Sequence, residues 1–290
     1  MNPEKSAYSI VIPVYNEEGA IGALLEEIIA LLKDKPVEIL VVDDGSTDKS
    51  GEILANYAQA GKIKLVSHNK NKGYGSALKT GIHQASGERI IIMDGDGSYP
   101  AQEILELMKK SHSAEMVVGE RMVKAGVEPV LRRIFKWLVV KMVRYLAGFE
   151  IQDLNSGLRV FPKEIVRKYF SILPEGFSFT STLSLIFLSE GYRIEYKEID
   201  YQPRQGKSKF RLGEVLPLSL LLLRTIIYFN PLKFFIPLSL VLVMLALIIA
   251  IYSIFILKKF MDVSTTVLLI FAVQVFILGL LADLVLRLRR

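Results

Sequence analysis

The chain has 290 residues, with 36 Lys and Arg against 30 Asp and Glu, and 51% of it is hydrophobic; its pI is near 9.2 and its mean hydropathy is +0.36. So apolar a composition, with the excess gathered at one end, excludes an ordinary soluble enzyme, and the absence of cysteine excludes disulfides and thiolate metal sites. The basic balance does not call for nucleic acid, because much of it flanks the apolar end, where anionic lipid head groups account for it.

In chain order, Met1–Ala7 is polar and carries no signal-peptide pattern. The first ~210 residues are therefore expected on the side of synthesis. Tyr8–Pro13 predicts a strand, and Glu17–Leu32 a helix with Ile21, Leu24, Leu25, Ile28, Ile29 and Leu32 at helical spacing. A strand over Val37–Val42, a helix over Asp48–Ala58, a strand over Ile63–Val66 and a helix over Gly75–Ala85 follow. Next comes an apolar strand, Arg89–Met93, that ends at Asp94. After Pro100 a helix is expected from Ala101 to Lys110. Alternation of this kind predicts an α/β fold, a mostly parallel sheet with helices on both faces.

Beyond Glu115 the pattern is mixed: a strand at Met116–Val118, an amphipathic basic helix over Leu131–Leu146, and an edge strand over Arg193–Ile199. Gly213–Asn230 is apolar but interrupted by Pro217 and Arg224, and reads as a helix lying in a membrane interface. Phe234–Leu257 and Val263–Ala282 carry no charge, and each reaches the ~20 residues needed to cross a bilayer. They predict a transmembrane hairpin, with helices at about 234–257 and 263–286. The expected division is a catalytic domain over 1–212, an interfacial region over 213–231 and a hairpin over 232–290. Basic residues from Arg204 to Lys233 and from Arg287 to Arg290 place the N-terminal domain and both termini in the cytoplasm.

Ligands of such sheets bind beyond the carboxyl ends of the strands. That rule gathers Tyr15-Asn16-Glu17, Asp43-Asp44-Gly45-Ser46 and Asp94-Gly95-Asp96 at one rim. Two carboxylates one residue apart can share a hard divalent cation, Mg²⁺ or Mn²⁺, which keeps open positions for phosphate oxygens. Asp43 or Asp44 can accept hydrogen bonds from a nucleobase or ribose, while Ser46, Thr47 or Asp48 caps the next helix. Asn71-Lys72-Gly73-Tyr74-Gly75-Ser76 is a glycine-rich turn, either a phosphate cradle or a plain tight turn. Asp153-Leu154-Asn155-Ser156-Gly157-Leu158-Arg159 is a polar segment compatible with a salt-bridged loop. Arg204-Gln205-Gly206-Lys207-Ser208-Lys209 is a basic loop, either lipid-facing or closing on a bound anion. His68, His83 and His112 lack ligand spacing and read as surface or loop residues.

The order of Val11-Ile12-Pro13-Val14-Tyr15-Asn16-Glu17, Val42-Asp43-Asp44-Gly45-Ser46, Asp94-Gly95-Asp96 and Ser156-Gly157-Leu158-Arg159 resembles family 2 glycosyltransferases of GT-A fold. With the basic loop and the hairpin, the chain looks like a polyprenyl-phosphate sugar synthase, similar to dolichol-phosphate mannose synthases and bacterial undecaprenyl-phosphate glucosyltransferases. The resemblance implies an inverting enzyme with a nucleotide-sugar donor (GDP-mannose or a UDP-hexose) and a polyprenyl phosphate acceptor. It implies Pro13, Tyr15, Glu17, Asp43, Asp44, Gly73, Asp94, Gly95 and Asp96 at the nucleotide sugar. Asp94 and Asp96 would hold the metal, with Ser98 a candidate ligand where mannose synthases of this group often have Gln. Arg132 or Arg133, Ser156, Arg159, Arg204 and Lys209 are candidates for the acceptor phosphate, and Asp94, Asp96, Arg204 and Lys209 for catalysis. Glu120 stands where Ser is familiar. The competing readings are a membrane-anchored nucleotide-sugar-binding subunit and a processive polysaccharide synthase, although the latter's Gln-x-x-Arg-Trp motif is absent. Self-association as a homo-oligomer stays open.

Overall fold

A computed structural model describes residues 7–121, 153, 155–176, 178–201, 231–256, 258 and 263–289. They divide between an N-terminal unit, within residues 7–201, and a C-terminal helical unit. The expected basic helix over Leu131–Leu146, the interfacial helix over Gly213–Asn230, and the proposed boundaries at 212 and 231 fall outside the described residues or at their edge.

The N-terminal unit is built on seven strands: β1 (Tyr8–Val14), β2 (Val37–Asp43), β3 (Lys64–Ser67), β4 (Arg89–Ile92), β5 (Met116–Arg121), β6 (Arg159–Pro162) and β7 (Ile194–Ile199). They pair in the order β3-β2-β1-β4-β6-β5-β7. Only β6 runs against the rest, antiparallel to both β4 and β5. All seven residues of β1 are buried, as a central parallel strand covered on both faces requires. Its even positions, Ile10, Ile12 and Val14, face a core shared with α1 (Ile21–Leu31), α2 (Ser50–Gln59) and α4 (Glu103–Lys110). Alternation sends Val11 to the opposite face. There α3 (Tyr74–Gln84) comes so close that a Cβ on Gly81 would stand 2.3 Å from Val11 Cγ1 and 3.2 Å from Val42 Cγ2. The expected mostly parallel sheet with helices on both faces is therefore present.

Three elements were not foreseen: β6, which begins at the last residue of the polar segment Asp153–Arg159, the short α5 (Lys163–Arg167), and α6 (Phe179–Ser189). Across β5 and β7, Glu120 pairs directly with Glu198. Burial, then the charges of Glu198 and Asp153, raise the Glu120 carboxyl.

The C-terminal unit is an antiparallel pair, α7 (Pro231–Phe255) and α8 (Val263–Arg289). Their apolar stretches, Pro231–Phe255 and Val263–Leu286, have 25 and 24 residues, each roughly 37 Å long at 1.5 Å per residue and enough to cross a bilayer core. The buried seam is made of small residues seven apart: Ser239, Ala246 and Ser253 on α7, Thr265, Ala272 and Gly279 on α8. That 3.5-residue period is the left-handed packing of paired helices, and small side chains let two backbones approach closely. The helices come close at Gly279, where a Cβ would lie 2.5 Å from Phe235 Cβ.

Candidate active site

Three neighbouring parallel strands, β2, β1 and β4, end at the same edge of the sheet, and the chain leaves each through an acidic or polar turn. A pocket of about 280 Å³ opens there. Pro13, Tyr15 and Glu17 reach it from β1, Asp44 from β2, and Asp94, Gly95 and Asp96 from β4. Gly73, at the start of α3, joins them. The sequence thus brought eight of its expected nucleotide-site residues into one wall. It missed Val14, Asn71, Tyr74, Ala77, Asn155 and Thr180, which also line the pocket. Val14, Asn71, Tyr74 and Asn155 lay within motifs already singled out, whereas Ala77 and Thr180 arrive through tertiary packing.

The rim is tied together by side chains that bond to backbone. Asn16, in a left-handed conformation at φ 56°, accepts at Oδ1 from the Thr47 amide at 2.8 Å, and its own amide donates to Ser46 Oγ at 3.1 Å. The Glu17 amide donates to Ser50 Oγ at 2.8 Å and the Glu18 amide to Asp48 Oδ2 at 3.2 Å. Glu18 answers by accepting from the Lys49 amide at 2.9 Å. The loops after β1 and β2 are thus one knitted surface. Of Ser46, Thr47 and Asp48, expected as helix caps, Ser46 and Thr47 serve between the loops, while Asp48 does both, its Oδ1 accepting from the Ser50 amide at 2.9 Å where α2 begins.

Asp43 and Asp44 divide their work. Asp43 Oδ1 accepts from the Ser46 amide at 2.9 Å, within its own turn. Asp44 is only 3% exposed. It accepts from the Lys72 amide at Oδ1 (3.0 Å) and from the Gly73 amide at Oδ2 (2.8 Å), and Oδ1 lies 2.6 Å from His68 Nδ1. These three contacts occupy most of the about four lone-pair sites of the carboxylate. His68, expected at the surface or in a loop, does lie in the loop after β3 but is buried between Asp44 and Thr80 Oγ1, 3.0 Å from its Nε2.

The glycine-rich turn is the tight-turn alternative, not a phosphate cradle. Its amides at 72 and 73 serve Asp44, and the Ser76 amide donates to the Glu175 carbonyl at 3.1 Å. A Cβ on Gly73 would meet Glu175 O at 2.7 Å, and one on Gly75 would meet Pro174 O at 2.2 Å. These glycines admit the 174–176 backbone against the start of α3.

The acidic pair is held from both sides. Tyr74 donates its hydroxyl to Asp94 Oδ1 at 2.8 Å. Burial, then the Asp94 charge, push that phenol well above its usual range, so it remains a donor. Asp96 Oδ1 accepts from both the amide (3.1 Å) and the hydroxyl (2.5 Å) of Ser98. Ser98 therefore orients Asp96 from behind, and it does not line the pocket wall. Among the described residues no group of three or more His, Cys, Asp or Glu forms a metal cage. Two hard carboxylates opening on a pocket suit a divalent cation that completes its shell with ligand phosphates.

The candidates for the acceptor phosphate need correction. Arg159 is 0% exposed. It donates Nε to Ser156 O (2.8 Å) and Nη1 to Thr180 O (2.9 Å) and Ser184 Oγ (2.5 Å). Burial pulls its guanidinium below the ordinary range. Ser156 is equally buried, and its hydroxyl accepts from the Leu158 amide at 3.3 Å. Both residues are fully buried, and neither lines the pocket. Arg132, Arg133, Arg204 and Lys209 lie outside the described residues. The segment beginning at Asp153 does carry the salt bridge that its composition suggested. Arg121 donates Nε to Asp153 Oδ2 at 2.8 Å and Nη2 to Oδ1 at 2.9 Å. Burial would raise the Asp153 carboxyl, but those bonds and the Arg121 charge outweigh it and hold the group below its ordinary 3.8.

A family model described as glycosyl transferase family 2 matches residues 9–170, which include β1 through β6 and both halves of the acidic rim. The chain belongs to this family. A second model, described as the GtrB C-terminal hairpin, matches residues 230–288, the α7–α8 pair. The glycosyltransferase is 30% identical over 249 residues to a dolichyl-phosphate beta-glucosyltransferase of Trichomonas vaginalis, covering 79% of this chain and 73% of that one. It is 34% identical over 162 residues to an undecaprenyl-phosphate 4-deoxy-4-formamido-L-arabinose transferase of Photorhabdus laumondii, covering 54% of this chain and 50% of that protein. The chain thus spans about half the length of that bacterial relative. Among solved structures, glucosyl-3-phosphoglycerate synthase from Mycobacterium tuberculosis, in complex with Mn²⁺, uridine diphosphate and glucosyl-3-phosphoglycerate, matches with a TM-score of 0.59. At 19% identity over 77% of this chain and 79% of that one, it shares the fold.

Proposed function

We propose that this glycosyltransferase moves one sugar from a nucleotide sugar to a polyprenyl phosphate at a membrane surface, with inversion at the anomeric carbon. The observation that carries the reading is the convergence of Asp44, Asp94 and Asp96 from three strand ends into one pocket. The names of the relatives, which are polyprenyl-phosphate sugar transferases, supply the acceptor class. The nucleoside lies against Pro13, Tyr15 and Glu17, where Asp44 accepts from base or ribose. Asp94 and Asp96 would hold a divalent cation, Mg²⁺ or Mn²⁺, on the donor diphosphate; that ion neutralises charge as the nucleoside diphosphate leaves.

The acceptor phosphate is anionic near neutral pH and attacks without a general base, so no nucleophile–base pair is needed in the pocket. A single displacement turns an α-linked donor into a β-linked lipid phosphosugar. Arg204 and Lys209, with Arg132 or Arg133, remain the basic candidates to receive the lipid phosphate, on the strength of the sequence. α7 and α8 would anchor the catalytic unit where that lipid resides. The test is a screen of purified full-length protein with Mn²⁺ or Mg²⁺, labelled GDP-mannose, UDP-glucose and UDP-N-acetylhexosamines, and polyprenyl phosphate, followed by lipid extraction. One donor should label the lipid. Donor binding without transfer to any lipid phosphate would identify a nucleotide-sugar-binding subunit and overturn the assignment.

A further inference from the structure

The Asp94 carboxylate is confined by residues that no strand-end rule would select. On one side stands the Tyr74 hydroxyl, 2.8 Å from Oδ1. On the other is the Cα of Gly157, against which the carboxylate lies so closely that a Cβ there would fall 2.1 Å from Oδ2 and 2.4 Å from Oδ1. Gly157 is itself fixed, because its amide donates to Tyr99 Oη at 2.7 Å, and Tyr99 is buried with its ring edge-on to Tyr201 at 5.3 Å. Tyr74 is fixed too: the Gly73 amide is bonded to Asp44, and the Ser76 amide to Glu175 O. A flexible carboxylate is thereby confined between two separate parts of the chain, each fixed by further bonds.

We propose that Tyr74 is a positioning residue for Asp94, its phenol orienting the carboxylate toward the cation and diphosphate of the donor, with Gly157 and Tyr99 as the opposing wall. The inference rests on the cation role given to Asp94 above. Partners that orient a metal-ligating carboxylate typically change metal affinity by about 10- to 100-fold when removed. Tyr74 also joins the two acidic loops, since the turn that carries it is pinned by Asp44 and its side chain reaches Asp94. Nucleoside binding at Asp44 and cation binding at Asp94 therefore share a support.

The deciding variant is Tyr74→Phe in the full-length protein, which keeps the ring and removes one hydroxyl. Mn²⁺ binding is measured by electron paramagnetic resonance in the presence of UDP and, separately, of GDP, beside the melting temperature without metal. Tyr74→Phe should weaken Mn²⁺ binding about 10- to 100-fold, leave the metal-free melting temperature close to that of the wild type, and regain turnover as Mn²⁺ is raised. Gly157→Ala, pressing on the same carboxylate from the other side, should weaken Mn²⁺ binding as well. Unchanged Mn²⁺ affinity in a folded Tyr74→Phe overturns the proposal, and so does a loss that merely follows a large fall in melting temperature. A wild-type protein that binds no Mn²⁺ with either nucleotide overturns the functional reading, and this inference with it.

Discussion

Asp94 and Asp96 sit one residue apart yet are held by different means, a tyrosine from α3 for the first and the chain's own Ser98 for the second. Neither packs in the core, so the pair can be altered without removing apolar contacts. Asp96→Asn should leave the melting temperature nearly unchanged and lower turnover at least about 100-fold, several kcal/mol of leaving-group stabilisation being at stake. Near-normal turnover at saturating Mn²⁺ and donor would remove Asp96 from the cation site. Arg159 behaves in the opposite way. An arginine in a sequence suggests a phosphate because charged side chains are seldom fully buried, and here that expectation misleads. Arg159→Ala would leave the carbonyls of Ser156 and Thr180 and the hydroxyl of Ser184 without their shared donor. It should cost about 3 kcal/mol or more in urea unfolding, with little change in the acceptor KM of whatever enzyme folds.

Among elements, those legible from the sequence are the ones whose burial repeats with their own period. β1, β2 and β4 are mostly apolar, with runs such as Ile10–Val14, Ile39–Val42 and Ile90–Ile92, because helices cover both faces of a parallel sheet, and α1 shows its core stripe plainly. β6 has only four residues, one of them Arg159, and abuts a polar loop, so neither its period nor its composition marks it. α6 is buried almost throughout, Ser and Thr included, and so lacks the polar face by which a surface helix is recognised. These elements carry Thr180, one of the pocket residues that sequence reasoning missed, and the buried Arg159. The pair of Arg121, at the end of β5, with Asp153 makes stability depend on acid. The folded Asp153 carboxyl is held below its ordinary 3.8, so its contribution is complete above that value and fades as pH falls through the lowered one. Asp153→Asn should lower unfolding free energy by about 1–3 kcal/mol at pH 7, and the gap from wild type should narrow in acid, below about pH 3.8. A gap that stays constant from pH 7 to pH 2.5 would show that the ion pair is not its source.

For the whole molecule, the two apolar helices are each long enough to cross a bilayer. The basic residues from Arg204 to Lys233 and from Arg287 to Arg290 predict a hairpin with both chain ends in the cytoplasm. Reporter fusions should be active in the cytoplasm at the C-terminus and inactive there when inserted near Lys258; a cytoplasmically active reporter at Lys258 is incompatible with this layout. Length and composition alone disclosed the hairpin, since twenty uncharged residues have few other uses. They could not disclose the seam of Ser239, Ala246 and Ser253 against Thr265, Ala272 and Gly279, because a helix apolar on all sides gives no sign of which side meets a neighbour.

The knitted rim has a bearing on how such enzymes can be recombined. Asn16, Glu17 and Glu18 donate their amides to Ser46, Ser50 and Asp48, while Thr47 and Lys49 donate back to Asn16 and Glu18. A chimera that takes only one of these loops from a relative inherits half of a reciprocal set, stranding amides that no longer have acceptors. Residues 15–18 and 46–50 are in that sense a single cassette, and an exchange of donor preference between family members succeeds only when both segments are transplanted together.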